Sequence, residues 1–201
     1  MTPKSDRPKR IIGLTGGIGT GKSTVSHYLA STYQLPVLDA DIYAREAVEI
    51  GSPILSAITE RYGSDILLAD GTLNRQKLGQ IVFSNPDERR WVEQQIHPYV
   101  RAQFVEAINQ LPKQTVVLVV PLLFEAGITD LVTEIWVVYC SRQQQLERLM
   151  QRDRLTLEQA QARINSQMPI EQKCQRADII LDNSSNPEAL LKQIDAVLKT
   201  R

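Results

Sequence analysis

No apolar run in this sequence approaches the roughly 18 residues that would cross a bilayer as a helix, so a membrane-spanning role is not expected. Cysteine is scarce, with Cys140 and Cys174 the only two. The first ends an apolar run and reads as a small buried hydrophobe. The second lies in a polar helical stretch, and such a pair makes neither a disulfide framework nor a zinc site. Net charge is also lacking. Lysine plus arginine and aspartate plus glutamate both number 23, which leaves no field to hold a polyanion, and nucleic acid is not an expected partner. Two missing motifs narrow the class further. The run Thr115 to Val120 stops at Pro121 rather than at the aspartate of a Walker B strand, and Asn-Lys-x-Asp, the guanine-reading motif of GTPases, does not occur. A GTPase switch and a motor ATPase are thereby disfavoured. The basic, proline-containing start is followed by no long apolar stretch. It reads as an N-terminal extension, residues 1–9, rather than a signal peptide, and a cytoplasmic location is expected.

What the chain does have is Gly16-Gly17-Ile18-Gly19-Thr20-Gly21-Lys22-Ser23, a complete G-x-x-x-x-G-K-[ST]. Its flanks suit the motif. Ile11 to Leu14 is a short apolar run fit for a buried strand, and Val25, Tyr28, Leu29 and Tyr33 fall on one helix face. Glycines let the backbone wrap a phosphate chain closely. The loop N–H groups and those of the helix start then converge on the anion. Gly17, Gly19, Thr20, Gly21, Lys22, Ser23 and Thr24 are the expected triphosphate contacts, with Lys22 reaching the β and γ phosphates and the Ser23 hydroxyl ligating Mg²⁺.

Strands are expected at Leu35–Leu38, Thr115–Val120, Ile135–Tyr139 and Ile179–Leu181, with helices between them. His97-Pro98 is expected to interrupt a helix over Asp87–Leu111. Alternating strands and helices imply an α/β, doubly wound parallel sheet of five strands with helices on both faces. Residues 10–201 read as one compact domain with an inserted, arginine-bearing lid. Ligands of such sheets bind at the carboxyl ends of the strands. The loop, Asp39-Ala40-Asp41, Pro121 to Glu125 and Ser141-Arg142 should therefore share one crevice.

A phosphotransferase acting on an alcohol needs a carboxylate near the attacking hydroxyl. If strand geometry persists, Asp39 and Asp41 point to one side. Asp41 is favoured as the base, while Asp39 caps the following helix or positions Mg²⁺ waters. Arg45 either pairs with Asp41 one turn away or holds a substrate phosphate. His97 reads first as a packed side chain. The arginines at 148, 152, 154 and 163 lie on a surface helix pair or on a lid that closes over the transferring phosphoryl group, Arg152 being the strongest single choice. Asp182 to Ser185 is a turn near the expected adenine position.

Taken together, Leu14 to Thr24, Asp39-Ala40-Asp41 with Ala44-Arg45, Asp70-Gly71-Thr72-Leu73, His97-Pro98, Pro121-Leu122-Leu123-Phe124-Glu125 and Gln151-Arg152-Asp153 closely resemble the dephospho-coenzyme A kinases. The resemblance runs in order along nearly the whole chain. It implies a single P-loop kinase domain over 10–201 like the nucleoside monophosphate kinases, with strand order 2-3-1-4-5, a core of 10–49, 112–141 and 177–201, a helical substrate-binding insertion at 50–111 and a helical lid at 142–176. It implies transfer of phosphate from Mg²⁺-ATP to the ribose 3′-hydroxyl of dephospho-CoA, the last step of CoA synthesis. It also implies Asp41 as the base, and Arg45, His97, Leu122 and Leu123 lining the acceptor site. A monomer or weak homo-oligomer is expected. Another small-molecule P-loop kinase, or a nucleotide-gated binding module without catalysis, would share parts of this pattern.

Overall fold

The computed structural model describes residues 9–200. These fall into two units, one of residues 9–38 and 108–200 and the other of Asp39–Ala107. Of the expected N-terminal extension, residues 1–8 lie outside the described residues. Lys9 is tied down, its Nζ donating to the carbonyls of Ile108 and Leu111.

The first unit is built on five strands: β1 (Arg10–Gly16), β2 (Val37–Asp39), β3 (Thr115–Val119), β4 (Glu134–Tyr139) and β5 (Ile179–Asp182). Their order is β2-β3-β1-β4-β5, as expected. β1 pairs in parallel with β3 and β4, and β4 with β5. Because β1 and β3 lie inside the sheet, Ile12, Leu14, Val116, Val117 and Leu118 are fully buried, which explains their unbroken apolar run.

Side chains alternate across a strand, and β4 shows what each sheet face meets. Trp136 and Val138 join Val25 and Leu29 of α1 (Lys22–Tyr33) and Leu190 and Ile194 of α9 (Pro187–Lys199) in one apolar cluster. Val137 turns the other way, to Phe124 and Ile170, the latter on α8 (Ile170–Gln175). Helices thus cover both faces. Two further helices, α6 (Arg142–Asp153) and α7 (Leu157–Asn165), pack on each other through Leu146, Leu149, Ala160 and Ile164, with Ile18 against them.

The second unit contains α2 (Ala40–Glu46), α3 (Pro53–Tyr62), α4 (Arg75–Ser84) and most of α5 (Pro86–Gln110). Its own core gathers Ala47, Val48, Leu55, Ile58, Ile66, Leu73, Leu78 and Val92. Asp70 closes the turn between Leu67 and Leu73, accepting from the Thr72 N–H at 3.0 Å and hydroxyl at 2.6 Å. These bonds hold its carboxyl below the usual range. The expected break at His97-Pro98 does not occur, and α5 runs through it. Proline there removes the donor to the Gln94 carbonyl. Both residues are exposed, so water can satisfy that carbonyl.

Two polar staples hold the first unit's helices. Asp195 of α9 accepts from the hydroxyls of Tyr28 at 2.8 Å and Tyr33 at 2.7 Å on α1. The bond to the carboxylate pushes Tyr33 up to about 12, and the two hydroxyls hold Asp195 below its ordinary 3.8. A depressed carboxyl adds stability that is complete above its ordinary value and lost as pH falls through the folded one. Asp195→Asn should therefore unfold at lower urea than the wild type at neutral pH, and the gap should close in solutions more acidic than 3.8. A gap equal at acid and neutral pH would contradict this.

The second staple is Lys173 of α8, with no exposed surface. Its Nζ reaches Glu125 Oε1 at 2.9 Å and the Pro121 carbonyl at 2.9 Å, and Glu125 also accepts from the Met168 N–H at 2.9 Å. Removing one partner leaves a buried charge uncompensated, which costs about 3 kcal/mol. Glu125→Ala should lose about that much in urea unfolding, and Lys173→Met in the same chain should restore a large part of it. Equal losses in the single and double variants would count against a charge effect.

Candidate active site

β1 delivers the chain to Gly16, α1 begins at Lys22, and the five residues between form the loop. The backbone takes left-handed values at Gly19, φ +77°, and Gly21, φ +101°. At Gly21 a side chain is excluded twice, by that angle and by Asn183 Nδ2, which lies 2.2 Å from where a Cβ would sit. Gly17 has Gln145 Nε2 in the same place, also at 2.2 Å. The start of α1 has no side-chain cap, whereas Asp39, Ser52, Asn74, Ser141, Thr156 and Asn186 cap α2, α3, α4, α6, α7 and α9. The positive end of its dipole therefore meets no capping side chain, an arrangement that suits an anion.

Within the loop, the Thr20 hydroxyl donates to the Gly17 carbonyl at 2.9 Å. Lys22 folds back, its Nζ donating to the carbonyls of Gly17 at 2.8 Å and Gly16 at 3.1 Å. Around it stand groups from α6, the segment after α7 and the turn after β5. Gln145 Nε2 donates to the Ile18 carbonyl at 2.9 Å, and Gln167 accepts from the Ile18 N–H at 2.9 Å. Arg148 donates to the carbonyls of Gly19 at 3.3 Å and Asn183 at 2.8 Å, and Asn183 Nδ2 to that of Thr20 at 2.8 Å. The Cys140 thiol sits against the Gly19 carbonyl, with burial pushing its pKa up. It is the inert, core-facing residue its sequence context suggests. A pocket of about 300 Å³ opens beside Gly17, with Arg142, Gln145 and Gln167 on its walls. The Arg142 guanidinium is oriented there by Asn165 at 2.7 Å.

The expected site residues divide between the units. Gly17, Gly19, Thr20, Gly21, Lys22, Ser23 and Thr24 come together as the loop and first turn of α1, with Ser23 and Thr24 exposed. Leu122 is half-buried, but Leu123 is wholly buried and packs under β1, 3.2 Å from the position of a Cβ on Gly13. Leu123 therefore supports the turn from the core and does not line an open surface. Arg152 lies on the surface in a two-point pair with Asp153 at 2.7 and 3.0 Å, and Arg163 shares that carboxylate at 3.0 Å. These pairs hold Asp153 below the usual carboxylate range.

In the second unit, Asp39 is the N-cap of α2, accepting from the Asp41 N–H at 2.8 Å. Strand geometry ends at Asp39, so the alternation argument for placing both carboxylates on one side does not apply. Asp41 is exposed in the first helical turn. Arg45 is exposed in the last turn of α2, where its carbonyl accepts from Arg75 at 3.3 Å, and among the described residues it forms no ion pair with Asp41. His97 is half-buried in the middle of α5.

Sequence reasoning missed Gln145, Gln167 and the loop-facing role of Arg148. One signal was present for Gln145: it shares the inward face of α6 with Leu146 and Leu149 and is itself 2% exposed. A polar residue on a core-facing stripe needs a buried partner. Among the described residues no three acidic, histidine or cysteine side chains gather as a metal site. The donors fit a hard cation that arrives with its phosphates and takes one protein hydroxyl, as Mg²⁺ does.

The dephospho-CoA kinase family model matches residues 10–188. Dephospho-CoA kinase of Trichormus variabilis is 63% identical over 190 residues, which cover 94% of this chain and 97% of that one. The protein of the same name from Synechococcus elongatus is 56% identical over 192 residues, 95% and 92% of the two chains. Among solved structures, one from Thermus thermophilus has a TM-score of 0.82 at 34% identity, covering 96% of this chain and 98% of that one. Dephospho-CoA kinase from Campylobacter jejuni has a TM-score of 0.68 at 31% identity, covering 94% and 98%. A shikimate kinase from Bacteroides thetaiotaomicron, 14% identical with a TM-score of 0.55, shares the fold alone. With the family model spanning most of its length and relatives at this identity covering nearly all of it, the chain belongs to the dephospho-CoA kinase family.

Proposed function

We propose that this protein transfers the γ-phosphoryl group of ATP to the ribose 3′-hydroxyl of dephospho-CoA, releasing ADP and CoA. The observation that carries this reading is the uncapped, glycine-built loop ending in Lys22 and Ser23, in a chain of this family. Loop amides and the start of α1 bind the phosphates. Lys22, held against the Gly16 and Gly17 carbonyls, exchanges those weak acceptors for phosphate oxygens, a stronger charge-assisted pairing.

The ribose oxygen forms a bond to the γ-phosphorus while the bond from that phosphorus to the β–γ bridging oxygen breaks. Asp41 accepts the hydroxyl proton on a carboxylate oxygen. Ser23 would hold Mg²⁺, which when bound neutralises phosphate charge. Arg45, His97 and Leu122 are proposed acceptor contacts. Arg152 is the proposed lid cation, because an exposed pair such as its own with Asp153 is worth only about 0–1 kcal/mol and is readily exchanged. Arg148, by contrast, is committed to the carbonyls of Gly19 in the loop and Asn183 in the turn after β5.

No described helix is long and apolar enough to cross a membrane. Both cysteines are unbridged, which suits a reducing compartment, and we place the enzyme in the cytoplasm, as a monomer or weak oligomer.

Purified protein with Mg²⁺-ATP should release ADP with dephospho-CoA and not with AMP or shikimate. A general base contributes about 10²–10⁴-fold, so Asp41→Asn should lose at least about 100-fold in kcat with the Kd for ATP unchanged. Turnover with AMP in place of dephospho-CoA would overturn the substrate. A kcat within a few-fold of wild type for Asp41→Asn would overturn the base.

A further inference from the structure

The loop N–H groups are useful only if they point towards the phosphates, and nothing in the motif itself makes them do so. In a trans peptide the C=O of one residue and the N–H of the next point in opposite directions. Whatever draws a carbonyl to one side therefore turns the following amide to the other.

In this protein three successive loop carbonyls are drawn outwards by side chains. The Ile18 carbonyl is taken by Gln145 Nε2 at 2.9 Å. That of Gly19 is taken by Arg148 at 3.3 Å. That of Thr20 is taken by Asn183 Nδ2 at 2.8 Å, with Arg148 at 3.5 Å. Two of these residues are also tied to each other, since Arg148 donates to the Asn183 backbone carbonyl at 2.8 Å. Ile18 is held on its other side as well, its N–H donating to Gln167. The amides that follow the three carbonyls belong to Gly19, Thr20 and Gly21. The Thr20 N–H turns within the loop to the Gly17 carbonyl at 3.4 Å, and those of Gly19 and Gly21 are left facing away from the anchoring side chains.

We propose that Gln145, Arg148 and Asn183 are positioning residues for nucleotide: by holding the carbonyls of Ile18, Gly19 and Thr20 they aim the loop amides at the phosphates before ATP arrives. None of the three need touch the nucleotide to do this. The glycines at 17 and 21 follow from the same arrangement, because Gln145 Nε2 and Asn183 Nδ2 fill the space of their absent Cβ atoms. Gly17 is the informative one. Its φ is not left-handed, so a methyl group there is opposed by the Gln145 amide 2.2 Å away and not by backbone strain. An alanine at 17 is accommodated only by pushing that amide off the Ile18 carbonyl.

The inference rests on the nucleotide-loop reading, and the test separates the two. Calorimetry gives the Kd for Mg²⁺-ATP and for ADP on wild type, Gln145→Met, Gln145→Ala, Gly17→Ala, Asn183→Asp and the Gly17→Ala/Gln145→Ala pair, with thermal melts alongside. Wild type that binds neither nucleotide overturns the loop reading itself. If it binds, Gln145→Met, close in length but without a donor, should weaken ATP and ADP alike by about tenfold, the worth of one hydrogen bond. Its kcat at saturating ATP should stay within about threefold, because preorganisation acts equally on ground and transition states. Asn183→Asp, which places an acceptor against the Thr20 carbonyl, should weaken both nucleotides at least as much.

Gly17→Ala should show a similar loss in the wild-type background and almost none in Gln145→Ala, a coupling that two unrelated packing defects would not give. Wild-type affinity in folded Gln145→Met, additive losses in the pair, or a fall in kcat with unchanged Kd would each overturn the proposal. Should Gln145→Ala not fold, Gln145→Met and Asn183→Asp decide the matter, and both must weaken binding.

Discussion

A polypeptide can bind a phosphate chain through its own amides only when several N–H groups converge, and planar trans peptides allow that only if the intervening carbonyls are satisfied elsewhere. That constraint organises the first unit of this protein. The glycines of the loop supply backbone freedom, but α6 and the turn after β5 supply the donors that occupy the carbonyls. A loop long and flexible enough to reach round phosphates would otherwise be free to turn its amides outwards. Here the loop backbone is tied to a helix over 120 residues later in the chain.

The scaffold behind the loop keeps those partners in register. β1 and β4, from whose C-terminal ends the loop and α6 depart, are neighbours in the sheet. The Ile18 side chain packs with Leu146, Leu149, Ala160 and Ile164, so the loop and the α6–α7 pair share one apolar cluster. Downstream, the Lys173–Glu125 pair and the Met168 N–H fasten the segment after α7, which carries Gln167, to the turn after β3. α8, assigned to the lid on sequence grounds, is in consequence part of the core against β4. Because α6 carries two of the loop's anchors, movement over the loop would have to come from residues such as Arg152 that are held only at the surface.

Much of this was legible in the sequence where one residue type has one physical reading. The phosphate loop and the buried strands are of that kind. Strand order came from family resemblance, because pairing between distant strands leaves no local signal. The failures share a cause: solvent or a distant partner decided the outcome. Pro98 was expected to break α5, yet exposure lets water take the orphaned Gln94 carbonyl. Asp41 was placed by strand alternation, yet the Asp39 cap starts the helix at Ala40. Leu123 was grouped with its neighbour, yet the turn directs it beneath β1. Gln145 and Arg148 were lost among the glutamines and arginines of a polar helix, since only the fold reveals which of them face a carbonyl.

The most direct test of this account is a pair of crystal structures of the wild-type protein, without nucleotide and with a non-hydrolysable Mg²⁺-ATP analogue. If the loop is set before binding, the backbone from Gly17 to Lys22 should superpose within about 1 Å, as preorganised sites do. Gln145, Arg148 and Asn183 should remain on the same carbonyls, and Lys22 Nζ alone should leave Gly16 and Gly17 for phosphate oxygen. A loop that flips its Ile18–Gly19 or Thr20–Gly21 peptide on binding, or that sheds those three side chains, would contradict it.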